Sequence, residues 1–163
     1  MKKLLTIVVL LLGVIIYAQE KDQFHSVSYV TSPGSLDDGY SFGIQYEHQN
    51  NTMYYGGELY IFPDLNTYDY AHLVGRFGLN YRPGNYYRPV RLHAGPRIGF
   101  ISRESANGPL VLLGLEAGIQ FTFDDHYFIG LSVNSDMKTD SKPLWGVDNH
   151  TVNSGYLSIG YRF

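Results

Sequence analysis

The sequence predicts an all-β protein, an eight-stranded antiparallel up-and-down transmembrane β-barrel. Three observations predict this fold class. The chain of 163 residues begins with a secretory signal, apolar and polar residues alternate through most of the remainder, and the polar face uses arginine and glycine where a soluble protein would use lysine.

The start of the chain resembles a cleaved signal peptide. A basic beginning precedes the largely apolar stretch 4–16, and Ala18 offers a small residue for cleavage. A membrane anchor is the alternative, but this stretch is shorter than the ~20 residues with which a helix spans a bilayer. The sequence therefore predicts export, removal of residues 1–18, and a single barrel domain over residues 19–163.

Composition excludes several classes of function. The chain contains no cysteine, so it carries no lipoprotein anchor, disulfide or thiolate metal site. Its formal charge is −3, and the predicted signal peptide contains lysines but no acidic residue, so the mature chain is more acidic still. Nucleic acid is therefore not an expected partner, because proteins that bind it generally carry a basic patch.

Alternation with a period of two residues, the pattern of a strand with two different faces, occurs in eight segments. It is clearest from Tyr40 to Gln49 and weakest in the first segment. The other seven segments are His25–Thr31, Met53–Ile61, Ala71–Arg82, Arg91–Arg103, Val111–Phe123, Tyr127–Asp136 and Tyr156–Phe163. An even number of strands lets the sheet close and removes its exposed edges.

The choice of charged residues indicates which face is inside. Lysine, common on solvated surfaces, is absent between Asp22 and Met137, and the polar faces carry Arg, Glu, His, Gly and Ser. A soluble, lipocalin-like barrel with an apolar interior is the alternative. Glycine-rich polar faces suit the crowded interior of a narrow barrel, so we expect the apolar faces to contact lipid.

Connection lengths predict the orientation of the barrel. Outer-membrane barrels have long outer loops and short periplasmic turns. The longer predicted connections are 32–39, 62–69, 102–108 and 137–149. The others are 49–51, 124–125 and 83–89, the last longer than expected for an inner turn. This polarity predicts an aromatic girdle at the periplasmic rim, formed by Tyr46, Tyr81, Phe121, Phe123 and Tyr127 together with Tyr161 and Phe163.

The C-terminus carries a more specific signal. Residues 158–163, with Tyr161 and the final Phe163, resemble the terminal signal that outer-membrane barrels present to the barrel-assembly machinery. Together with the signal peptide and the eight segments, the whole chain resembles the small barrels of the OmpA/OmpX type. The Tyr-Ala-Gln at 17–19 and the Tyr-rich strands are similar to Bacteroidetes proteins. The resemblance implies a Gram-negative outer membrane as the location, with its lipid and the assembly machinery as partners.

Charged residues on the polar faces predict a network in the lumen. Its expected members are Glu47, Glu58, Arg76, Arg91, Arg97, Glu116, Asp136 and Arg162, with Arg82, Arg103, His72 and His93 on the same faces. An eight-stranded barrel is just wide enough for side chains to fill it, so a structural salt-bridge plug is expected. A narrow channel is the alternative, and the surplus of arginine would make it prefer anions.

A non-enzymatic structural or surface-interaction role is the favoured function, with an accessory role in an envelope complex as its extension. Lipid A deacylases of similar size use a His-x-Ser-Asn pattern, but Ser132–Ser135 lacks the histidine and His150–Ser154 has another spacing. No catalytic residue, cofactor or metal ligand is therefore predicted. Trp145, in the last outer connection, offers an anchor for a partner, and Leu144–Gly146 resembles the TraO proteins of conjugative elements.

Overall fold

The computed structural model describes residues 23–35, 39–63, 70–83, 89–102, 110–139 and 150–163. They form eight strands of 9 to 14 residues, long enough to cross a bilayer when tilted. The strands are β1 (Phe24–Ser35), β2 (Gly39–Gln49), β3 (Met53–Ile61), β4 (Ala71–Tyr81), β5 (Val90–Ser102), β6 (Leu110–Phe123), β7 (Tyr127–Lys138) and β8 (His150–Arg162). The predicted signal peptide and Trp145 lie outside the described residues.

Each strand pairs antiparallel with its neighbours in the sequence, and β8 pairs with β1 to close the barrel. The seam runs from Ser26 opposite Arg162 to Thr31 opposite Leu157. The predicted fold class is therefore confirmed. In the described part of the chain, no helix is long and apolar enough to span a membrane.

Burial is inverted relative to a soluble barrel. Outward side chains in mid-strand are large, apolar and exposed, such as Leu73 at 59 %, Leu115 at 64 % and Val133 at 62 %. Their inward neighbours are buried and many are charged, such as Arg97 at 2 % and Glu116 at 4 %. A belt of exposed apolar side chains around a polar interior is the arrangement that a bilayer stabilises.

Two short turns lie at one end of the barrel. In the β2–β3 turn, the Asn50 side chain accepts backbone hydrogen bonds from Thr52 and Met53 at 2.8 and 2.7 Å. In the β6–β7 turn, Asp124 and Asp125 adopt positive φ angles of 54° and 56°, which aspartate tolerates better than most residues. This end is the periplasmic one by the rule that barrels have short periplasmic turns.

Several boundaries differ from the sequence prediction. β1 continues to Ser35, past a register irregularity after Ser32, and β8 begins at His150. Lys138 was assigned to an outer connection but is the last residue of β7, whereas Phe62 follows β3 as predicted; both side chains are buried, at 1 % exposure. Lys138 was placed in a loop because it begins a polar, turn-rich stretch, although the alternation of β7 continues through it.

Two glycines permit a close approach of β4 and β5 beside the lumen. A Cβ on Gly78 would lie 2.7 Å from both the Gly95 Cα and the Tyr54 hydroxyl, and it would also meet the Ala94 carbonyl. The backbone cannot move away easily inside a closed sheet. Glycine at position 78 therefore makes room for Tyr54, which belongs to the site described next.

Candidate functional site

The centre of the lumen is occupied by Arg76. Its guanidinium contacts Glu116 at 2.7 Å and Glu58 at 2.8 Å, and Glu47 at 3.5 Å. The four side chains come from four strands and are all buried. Alternation alone turns each of them inward, and the register brings them to one level.

Arg97 and Arg91 extend this network in opposite directions. Arg97 lies nearer the outer end of the lumen. Its guanidinium is 3.1 Å from Glu58, 3.3 Å from Asp136 and 3.9 Å from Glu116. Its Nη2 atom makes the contact with Glu58, whereas Nε and Nη1, which face Asp136 and Glu116, make no hydrogen bond of good geometry among the described residues. Arg91 lies nearer the periplasmic end, 2.6 Å from Glu47.

Neutral side chains complete the network around Arg91 and Arg76. Arg91 donates to Asn80 Oδ1 at 2.7 Å and to Gln120 Oε1 at 2.6 Å. The Tyr54 hydroxyl donates to Glu116 at 2.5 Å, and the ring of Tyr54 lies 5.2 and 5.0 Å from the guanidinium carbons of Arg76 and Arg91. Tyr54 thus supplies both a hydrogen bond and a cation–π surface, a role that sequence reasoning missed.

An apolar layer lies above the charges, in the outer half of the lumen. It consists of Val30, Tyr60, Phe62, Tyr70, Val74, Ile101, Leu112 and Tyr156. Lys138 lies buried beside it, with Nζ 5.5 Å from the Phe62 ring centre and 5.7 Å from that of Tyr70. Lys138 was missed as a lumen residue because its segment was assigned to a loop.

The predicted network is assembled with one correction. The structure brings Glu47, Glu58, Arg76, Arg91, Arg97, Glu116 and Asp136 together. Arg162 lies instead at the periplasmic mouth, where it donates to the Asp125 carbonyl at 2.8 Å and packs 4.2 Å from the Phe24 ring centre. It is the last residue of β8, so its inward position falls at the end of the lumen. Arg103 lies outside the described residues.

Little space remains among the charges. A cavity of about 10 Å³ lies between Glu47, Arg76, Arg91, His93 and Gln120, room for about one water molecule. Among the described residues, the fully buried charges balance, since four carboxylates face Arg76, Arg91, Arg97 and Lys138. In the described residues, side chains therefore fill most of the space between these buried charges.

The predicted girdle residues lie at the short-turn end on the outward face. Tyr46, Tyr81, Phe121, Phe123, Tyr127, Tyr161 and Phe163 have exposed fractions between 42 % and 65 %. Several stack on one another, such as Phe123 with Tyr127 and Tyr161 with Phe163.

In the described ranges, no cluster of three or more His, Asp or Glu side chains is arranged to hold a metal ion.

Comparison with solved structures identifies the fold. OprH of Pseudomonas aeruginosa is similar with a TM-score of 0.61 and 17 % identity, over 88 % of this chain and 100 % of OprH. The N-terminal barrel of Pseudomonas aeruginosa OprF is similar with a TM-score of 0.55 and 10 % identity, over 89 % and 100 %. Ail of Yersinia pestis in a nanodisc is similar with a TM-score of 0.51 and 19 % identity, over 88 % of this chain and 100 % of Ail.

The chain has the fold of a small outer-membrane β-barrel. No protein family known from sequence matches it, and no curated protein is similar to it in sequence. The fold and the belt of exposed apolar side chains together place the chain in the bacterial outer membrane. The predicted Bacteroidetes affinity stays a prediction.

Proposed function

We propose that this chain is a non-enzymatic, non-conducting outer-membrane barrel that serves as a structural or surface-interaction component of the envelope. The filled lumen carries the proposal. Buried ion pairs occupy its centre, aromatic side chains occupy its outer half, and the cavity between the charges is about 10 Å³. A barrel closed in this way presents its lipid-facing wall and its connections as the surfaces for function.

Conductance of the purified barrel in planar bilayers tests the closed lumen. The wild type should give no steady current above that of the bare bilayer. The double variant Arg97→Ala, Asp136→Ala removes one cation and one anion and leaves the net charge of the lumen unchanged. It is the matched control, because a current that appears in this variant would result from the space it opens in the lumen and not from a change in net charge. A stable, anion-preferring wild-type current would replace this proposal with the channel.

The surface role rests on the outer connections. Ail, whose fold is similar, has been crystallised in complex with the heparin analogue sucrose octasulfate, so one barrel of this fold binds an anionic ligand. A photoreactive residue at position 145 should crosslink an envelope component in intact cells, and one at position 125 in a periplasmic turn should not. A conjugation protein as the crosslinked partner would favour the TraO-like alternative. Crosslinks from neither position would argue for a purely structural barrel.

The lipid A-modifying alternative is tested separately, by mass spectrometry of lipid A from cells with and without the protein. The non-enzymatic proposal expects identical lipid A masses. Loss of an acyl chain that depends on Ser135 or Ser154 would overturn it, because an acyl-ester hydrolase of this kind needs a serine nucleophile.

A further inference from the structure

Two histidines that are far apart in the sequence meet at the periplasmic rim. His25, at the start of β1, lies directly opposite His48, near the end of β2. Their Nδ1 atoms are 3.5 Å apart and their ring centres are 4.6 Å apart. Both side chains are half-buried and lie on the outward face of the barrel. We call these two residues the rim histidine pair.

The backbone explains why the two rings are so close. His25 donates to the Phe163 carbonyl at 2.9 Å and accepts from the Phe163 amide at 2.8 Å, so both of its backbone groups point toward β8. Toward β2, His25 and His48 therefore form a non-hydrogen-bonded pair. In such pairs the Cα atoms lie about 4.5 Å apart and the side chains are closest.

Neighbouring rings hold this arrangement. Phe163 stacks on His25 with a centroid distance of 5.9 Å, and Tyr55 packs on His48 at 4.8 Å. The Tyr46 hydroxyl lies 2.7 Å from His25 Nδ1, so an oxygen joins the two nitrogens. His25 Nδ1 thus lies close to both the Tyr46 oxygen and the His48 nitrogen.

We propose that the rim histidine pair binds one divalent transition-metal ion of the zinc, copper or nickel class through its two Nδ1 atoms. Zinc–imidazole bonds are about 2.0–2.1 Å long, so two nitrogens on one tetrahedral ion lie about 3.3–3.4 Å apart. The observed separation of 3.5 Å needs only a small adjustment. Imidazole favours these ions, whereas calcium and magnesium favour oxygen ligands.

Tyr46 takes part as a neighbouring oxygen. When His25 Nδ1 binds the ion, the hydroxyl that now lies against this nitrogen turns to a metal-bound water, which fills a remaining coordination position. The site is open, with two protein nitrogens and water. The ion would connect β1 to β2 immediately beside the β1–β8 seam, which Phe163 completes.

Copper titration followed by electron paramagnetic resonance tests the proposal on the full barrel, folded in detergent micelles and free of any polyhistidine tag. The variants are His25→Gln, His48→Gln, Tyr46→Phe and, as the matched control, His126→Gln. His126 lies at the same rim, but its ring stacks on Tyr161 and its Nδ1 atom lies 3.1 Å from the Arg162 carbonyl oxygen. Folding of each variant is verified by its heat-modifiable migration.

The wild type and the His126→Gln variant should bind one Cu²⁺ with two nitrogens in the hyperfine pattern. His25→Gln and His48→Gln should each leave one nitrogen and lose at least the roughly tenfold affinity that even outer-shell changes cost a metal site. Tyr46→Phe should retain both nitrogens. Zn²⁺ should raise the unfolding temperature of the wild type but not of His48→Gln. Wild-type affinity in both pair variants, or an equal loss in His126→Gln, would overturn the proposal.

Discussion

The backbones of Phe163 and His25 exchange two hydrogen bonds, at 2.9 and 2.8 Å, and their rings stack with an interplanar angle of 17°. Phe163 and His25 thus form the last backbone pairing of the β1–β8 seam. The Phe163 ring also stacks on the ring of Tyr161, and the His25 ring in turn contacts the ring of His48. The terminal aromatic residue therefore has a structural place in the folded barrel beyond its resemblance to an assembly signal.

Phe163→Ala should reduce assembly into the outer membrane much more than Phe123→Ala. Both residues are exposed girdle aromatics, at 60 % and 47 %, but only Phe163 belongs to the predicted assembly signal and pairs with β1 at the seam. The measurement is the fraction of protein in the outer-membrane fraction that shows heat-modifiable migration. Equal effects would show that Phe163 contributes only as one more interfacial aromatic.

Arg76→Met should destabilise the barrel by about 3–5 kcal/mol, because it removes the cation nearest to the buried carboxylates Glu58 and Glu116 and leaves them only Arg97, at 3.1 and 3.9 Å. Arg162→Met, at the periplasmic mouth, is the matched control and should cost much less. Urea unfolding in detergent, monitored by the gel shift between the folded and unfolded bands, gives the loss of stability of each variant. Similar small losses would mean that the carboxylates are solvated, as the channel alternative requires.

Tyr54→Phe should cost about 1.5–3 kcal/mol, since it removes a hydrogen bond to the buried Glu116 carboxylate. Tyr55→Phe is the control next to it in the chain, because Tyr55 points outward and is 58 % exposed. Removal of the Tyr55 hydroxyl should leave the free energy of unfolding nearly unchanged. If the two variants unfold alike, the inward and outward assignment of β3 is wrong.

Gly78→Ala should destabilise the barrel by about 1–3 kcal/mol, because the added methyl collides with the Tyr54 hydroxyl and the Gly95 backbone. Gly155→Ala provides the control. A Cβ at position 155 meets nothing within 4 Å, so that variant should unfold like the wild type. A harmless Gly78→Ala would show that β4 and β5 can separate without loss.

The sequence was sufficient to predict the strands and the inward direction of the charges, because one period-two rule determines both. Glu58 and Glu116 could be assigned to the lumen from their own strands alone. Arg162 was misplaced because direction does not specify height along the barrel axis. Its level depends on the tilt and register of all eight strands, which no single segment encodes.

The pairing of individual residues across neighbouring strands was not predicted. His25 and His48 look scattered in the sequence, and only the register of β1 against β2 makes them a pair. Lys138 was hidden for a different reason. It begins a polar, turn-rich stretch, and lysine is typical of solvated loops, so the continuing alternation of β7 was not recognised.

The seam has a consequence for folding kinetics. Its hydrogen bonds join β1 and β8, whose residues are the most distant partners in sequence among the described residues. The entropy lost on bringing such partners together makes pairings of this kind slow to form. Until β8 has paired with β1, the two strands remain open edges able to pair with another chain, so ring closure is the step at which misassembly competes with folding.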